Sequence, residues 1–200
     1  MSQTTAEKRP VARERILEAA TRLFLRDGFR AVGVDTIIAE AGVAKMTLYA
    51  HFPSKDDLIA AYLERANEQF WHWLDAAVAG VEDPRASLMA MFDAVGKLAN
   101  DPQCLGCTFQ GTAAEFPDPD HPGHRVALAH KQAVLAHLRT LAQEANLRDP
   151  EALADQLLLL MDGAWVAARM FGPGNPSAQV AAAATALIEA HSRPEPVEAG

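Results

Sequence analysis

The sequence predicts an all-α chain of about nine helices, a short three-helix head followed by a longer helical body. Three observations lead there. Apolar residues recur at the three-and-four spacing of a helix along most of the chain. No stretch shows sustained two-residue alternation rich in β-branched side chains. Glycine and proline clusters fall between the periodic segments and not inside them. With 200 residues, half of them hydrophobic, the chain has ample material for a packed core.

Taken in order, Ile16, Ala19, Ala20, Leu23 and Phe24 form one helical stripe, and Gly28 ends it. A short helix follows over Val34–Ala41, with Asp35 in its first turn where the helix dipole favours an acid. Gly42, Val43 and Ala44 make a turn, and a second short helix spans Lys45–His51. Pro53-Ser54 breaks the chain again. Ser54 then caps a long helix, with Asp57 three positions on as a partial capping box. Ile59, Tyr62, Leu63, Ala66, Phe70, Trp73, Leu74 and Ala77 hold a single stripe along that helix, with Trp71 off it. Leu88, Met91, Phe92, Val95 and Leu98 mark the next helix, after Asp83-Pro84, and a short segment from Cys104 to Phe116 follows. Helices of ordinary length are expected over His124–Asn146 and Pro150–Phe171. A break at Gly172–Pro176 precedes an alanine-rich helix over Ser177–His191, and the tail from 192 to 200 reads as disordered.

The organisation expected is therefore a head over 10–55, a body over 56–191 and the tail. Charge divides the same way. Residues 1–55 carry nine Lys/Arg against six Asp/Glu, while residues 56–200 carry nine against twenty. The overall charge of −8 thus conceals a mildly basic head on an acidic body. No apolar run approaches the ~20 residues of a membrane span. The N-terminus lacks the apolar stretch of a secretory leader, and two cysteines are too few for a disulfide scaffold. A cytoplasmic protein is the expectation.

The informative stretch is VDTIIAEAGVAKMTLYAHFPSK, residues 34–55. Two short helices joined by a glycine-containing turn make the helix-turn-helix layout. Ile37, Ile38 and Ala41 on the first helix, Val43 in the turn and Leu48 on the second close a small core. Lys45, Met46, Thr47, Tyr49 and His51 are left facing outward. A helix of this kind fits the major groove of B-DNA, with its first residues at the base edges. Lysine donates to guanine O6 or N7, and the methyls of Met46 and Thr47 suit a thymine methyl. Tyr49 and Lys55 suit phosphate oxygens, which set register.

The runs ILEAATRLFLRDGF (16–29) and GVAKMTLYAHFPSKDDLI (42–59), with the spacing between them, resemble the N-terminal domain of the tetracycline-repressor (TetR) family of bacterial regulators. The resemblance covers residues 10–60 closely and the remainder only in layout. It implies a three-helix, helix-turn-helix DNA-binding domain on a helical ligand-binding and dimerisation domain. By position it implies DNA contacts from Lys45, Thr47, Tyr49, His51 and Lys55, to which Met46 and Thr36 are added as candidates. Gly33 stands where the family often has a hydroxyl residue, and Ala44 and Ala50 replace positions that are frequently polar. The function implied is a ligand-responsive regulator, a repressor by preference. It would bind a palindromic operator as a homodimer through its last two helices and be released by a small apolar effector.

Outside that stretch the signals are weaker. Cys104-Leu-Gly-Cys107 followed by His121-Pro-Gly-His124 approaches a zinc pattern, but the second pair is spaced too tightly. Nothing basic lies beside the cysteines in sequence to make them reactive. No metal or cofactor is expected, and no nucleophile elbow or phosphate loop argues for an enzyme. Phe70, Phe92, Phe109, Met161 and Trp165 are the candidates for an apolar effector pocket. The competing reading is a helical enzyme or carrier whose head does not bind DNA.

Overall fold

A computed structural model describes residues 4–193, with side chains from residue 12 onward. Among the described residues there are nine α-helices and no strand. They are α1 (Thr4–Asp27), α2 (Val34–Ala41), α3 (Lys45–His51), α4 (Lys55–Ala77), α5 (Pro84–Ala99), α6 (Thr108–Glu115), α7 (Pro122–Glu144), α8 (Pro150–Phe171) and α9 (Val180–Ala190). A 3-10 turn, Pro176–Gln179, precedes α9 and takes up the start of the last expected helix. Asn175 accounts for the tighter turn: its side chain accepts the Ser177 N–H at 2.8 Å and donates to Ala99 O and Gly172 O. The expected tail falls, from residue 194 on, outside the described residues.

Packing divides the chain into two compact units that do not follow chain order. Unit 1 takes the chain through Gln69 together with Thr108–His130, and unit 2 takes Phe70–Cys107 together with the chain from Lys131. The head expected over 10–55 therefore packs with the first two-thirds of α4, with α6 and with the start of α7.

In unit 1 the expected α1 stripe is buried throughout, from Ile16 at 0% to Leu23 at 4% exposed. Ile16, Leu23 and Phe24 each contribute about 1.5–3 kcal/mol when taken out of water. Phe24, Phe29 and Tyr62 form a ring triangle with centroids 5.1–5.8 Å apart, which joins the end of α1 to α4. Such tilted and edge-on pairs add to plain burial. The expected capping box at α4 is present in reciprocal form. The Asp57 N–H donates to Ser54 Oγ at 3.0 Å, and the Ser54 N–H donates to Asp57 Oδ2 at 3.0 Å.

In unit 2 a single hydrophobic cluster gathers Leu74 from α4, Leu88, Met91, Phe92 and Val95 from α5, and Val134 and Leu138 from α7. Leu153, Leu157, Met161 and Trp165 from α8 and Ala184 and Ile188 from α9 complete it. The buried faces of α8 and α9 contribute to this core. Trp71, expected off the α4 stripe, packs against the cluster, its ring edge-on to Phe70 at 5.4 Å and to His137 at 5.5 Å. Burial holds the His137 imidazole below its ordinary pKa, against the pull of Asp75 and Glu144.

Candidate nucleic-acid interface

Helices α2 and α3 pack on α1 and on each other, and the turn between them is set from α1. Gly42 closes α2 in the left-handed region, at φ 60°, which costs glycine nothing. Its N–H and that of Val43 return to Ala39 O and Ile38 O. The carbonyls of Ala41 and Gly42 accept from Arg15 Nη2 at 2.5 and 3.0 Å. Arg22 pairs with Glu40 at 3.0 Å on the surface, a second link from α1 to α2. These arginines were not singled out from sequence. Arg15 lies 26 residues from its acceptor, and no local pattern signals such a pairing.

Helix α3 sorts its faces as the sequence requires. Leu48 is fully buried, and Ile37 and Ala41 of α2 close the same small core. Met46 is 85% exposed and Tyr49 42%. Lys45 is exposed and lies 3.3 Å from Asp35 Oδ1, a solvent-facing pair that holds the ammonium only loosely. Thr47 and His51 are half-buried, and Thr36 of α2 is exposed. Lys55 opens α4 and is half-buried; burial lowers its pKa, while Asp56 and Glu115 act to raise it. The seven candidates thus lie on α2, α3 and the first turn of α4, all within unit 1, with the polar ends of Lys45 and Tyr49 open to an incoming phosphate or base edge. Neither α2 nor α3 has a side-chain N-cap: Gly33 and Ala44 occupy those positions in extended conformation.

The five effector-pocket candidates divide between the two units. Phe92, Met161 and Trp165 belong to the unit 2 cluster, with Phe70 packed against it. Phe109 belongs to unit 1, where its ring stacks on His130 at 3.6 Å, and His130 Nδ1 meets Asn67 Oδ1 at 2.7 Å. A groove of about 260 Å³ in unit 2 runs between α8 and α9, lined by Leu159, Leu160, Ala167, Pro176, Gln179 and Ala183. None of the five candidates lines it.

Among the described residues no three His, Cys, Asp or Glu side chains come together as a metal set. Cys104 and Cys107 are not joined in a disulfide and pack against the unit 2 cluster. The two histidines of the spacing pattern are in unit 1 and already engaged. His121 Nδ1 accepts the Gly123 N–H at 3.1 Å, which leaves its proton on Nε2, 3.4 Å from Asp56 Oδ1. His124 Nδ1 meets Phe116 O at 2.7 Å.

The family model of bacterial regulatory proteins of the tetR type matches residues 16–62, the region just described. A TetR-family transcriptional regulator from Streptomyces coelicolor superposes with a TM-score of 0.80 at 35% identity, over 90% of this chain and 94% of that one. A TetR-type regulator from Streptomyces avermitilis superposes equally well, at 34% identity over 90% and 97% of the two chains. The chain belongs to the TetR family of transcriptional regulators. An HTH-type transcriptional regulator of Mycobacterium tuberculosis is 29% identical over 108 residues, which is 54% of each chain. The match thus spans about half the length of that curated relative. As a TetR-family protein the chain is a transcriptional regulator with a DNA-binding helix-turn-helix, and the reading as an enzyme or carrier is set aside because its relatives are regulators. No described helix is long and apolar enough to cross a membrane.

Proposed function

We propose that this TetR-family protein is a ligand-responsive repressor that binds a near-palindromic operator as a homodimer and is released by a small apolar effector. The observation that carries the reading is the division of α3, with Leu48 buried while Lys45, Met46 and Tyr49 face solvent. Met46 and Thr47 would touch base methyls and Lys45 a guanine edge. Tyr49, His51, Thr36 and Lys55 would meet the backbone. In this scheme residues 10–55 contact DNA, and 56–191 hold the effector and the second copy.

Support for the homodimer comes from the outer face of α8. Leu159 and Met170, each 72% exposed, and Val166 at 46% follow one another with Gly163 along a single apolar stripe. That stripe borders the α8–α9 groove, and small residues there let a second helix pair approach closely. Two heads about 34 Å apart would read successive major-groove turns. Helix α4 carries Lys55 at one end and Phe70 and Trp73 towards the other. An effector that favours one tilt of this rod would shift the population to a head spacing that misfits DNA, by no more than its differential affinity for the two states.

The test is electrophoretic mobility shift on the DNA upstream of the protein's own gene. Binding should weaken as salt rises. Lys55→Ala should weaken all sequences alike and reduce the salt slope by about one. Thr47→Ala should relax sequence preference. A Tyr49→Ala, Lys55→Ala double variant that binds as well as wild type would overturn the assignment.

A further inference from the structure

The candidate DNA contacts all precede residue 56, yet the approach to α2 is held by a residue far along the chain. Glu115, the last residue of α6, is half-buried, and its carboxylate accepts two backbone donors of the turn after α1. Phe29 N–H donates to Oε1 at 3.1 Å and Arg30 N–H to Oε2 at 2.9 Å, across 86 and 85 residues of sequence. Bonds from amides to an ionised acceptor are about twice as strong as neutral ones. The turn is shaped to receive the carboxylate. Gly28 ends α1 at φ +82°, and a Cβ there would lie 2.8 Å from Glu115 Oε1.

The neighbouring side chains reinforce the contact. The Phe116 ring lies 5.9 Å from Phe29 and stacks parallel on His121 at 4.0 Å, with the Arg30 guanidinium 5.5 Å from its centre. His121 in turn faces Asp56, beside Lys55. Helix α2 needs this external support. Its C-terminal end is held by Arg15, but its N-cap, Gly33, offers no side-chain bond. Between Arg30 and α2 the only buried side chain is Val32. A turn free to shift at Phe29–Arg30 would pass its shift directly to α2 and hence to α3.

We propose that Glu115 is a positioning residue for DNA binding: its carboxylate fixes the α1–α2 turn and so the angle at which α2 and α3 meet the duplex. The inference rests on the DNA reading of α3. It is tested with full-length wild type, Glu115→Ala and Glu115→Gln, on a duplex that the wild type enriches from a randomised pool. Affinity is measured across a salt series, and amide exchange is followed at Phe29 and Arg30. Glu115→Ala removes the acceptor of both amides and should weaken binding by about tenfold or more. Its salt slope should be unchanged, since no phosphate contact is lost. Exchange at the two amides should accelerate. Glu115→Gln keeps one acceptor oxygen but turns an NH2 toward the second backbone donor, so it should lie between wild type and Glu115→Ala in both affinity and exchange, and it carries the test if the alanine variant does not fold. Faster exchange with wild-type affinity in a folded variant would overturn the proposal, and so would an affinity loss accompanied by a shallower salt slope. A wild type that enriches no duplex would overturn the DNA reading itself and this inference with it.

Discussion

At the scale of single residues, Gly42 shows how one position serves backbone and partner at once. It sits at φ +60°, and a Cβ there would lie 2.7 Å from Arg15 Nη2. The guanidinium is the far end of a flexible side chain and can move aside, but only by giving up the carbonyls it caps. Gly42→Ala should therefore destabilise the protein by about 1–2 kcal/mol, from left-handed strain plus a weakened cap. Arg15→Ala should cost less in the Gly42→Ala background than in wild type. Urea unfolding of the two single variants and the double variant checks both statements. The glycine was legible in the sequence as a helix stop, but its arginine was not. Turn chemistry is local and leaves a mark within a few residues, whereas a cap donated from another helix depends on how the helices pack. Glu115 escaped notice for the same reason.

At the scale of elements, boundaries were most legible where a cap or breaker marks them. Val34–Ala41, Lys45–His51 and Pro150–Phe171 were read to the residue. Each is bracketed by glycine, proline or a change from apolar to polar. The helix bounds within Cys104–Phe116 are not legible because α6 has only two buried side chains, Phe109 and Thr112, too few to set a period. Trp71 lies off the main stripe of α4 and still packs against the unit 2 cluster, a second buried face that a single-stripe reading does not anticipate. Helix α3 itself carries an unused opportunity. Ala44 holds N-cap backbone geometry, φ −76° and ψ 150°, with no side chain to cap. Ala44→Ser should supply that bond and raise stability by about 0.5–1 kcal/mol. Chemical denaturation should show a later midpoint with an unchanged slope; an unchanged midpoint would mean that the hydroxyl does not reach the free amides.

For the whole molecule, the net charge of −8 gives the wrong impression of a DNA-binding protein, and only the division of charge along the chain corrects it. Composition sums over regions that never approach the duplex. The apolar stripes of α8 and α9 are ambiguous in a related way. Periodicity shows that a face is apolar, not what covers it, and here Leu153, Leu157, Met161, Ala184 and Ile188 cover one another. The residues left outside, Leu159 and Met170, sit between the periodic positions. Replacing both by glutamate should leave the unfolding free energy of the subunit within about 0.5 kcal/mol, as for other exposed sites. If the subunits pair through α8 as proposed, sedimentation should show the pair lost in the double variant, and operator affinity should fall with it. A double variant that sediments as wild type does would overturn the proposed α8 interface.

Unit 1 is assembled from two separate stretches of the gene, and this bears on how the protein could be cut and spliced. A fragment ending at residue 69 would encode every helix assigned to DNA but omit Thr108–His130. The Phe29 and Arg30 amides would then lose their acceptor, and Ile59 and Tyr62 the neighbours they have in Gly123 and Thr108. A chimera meant to lend this DNA-reading module to a related regulator would have to transplant both stretches together.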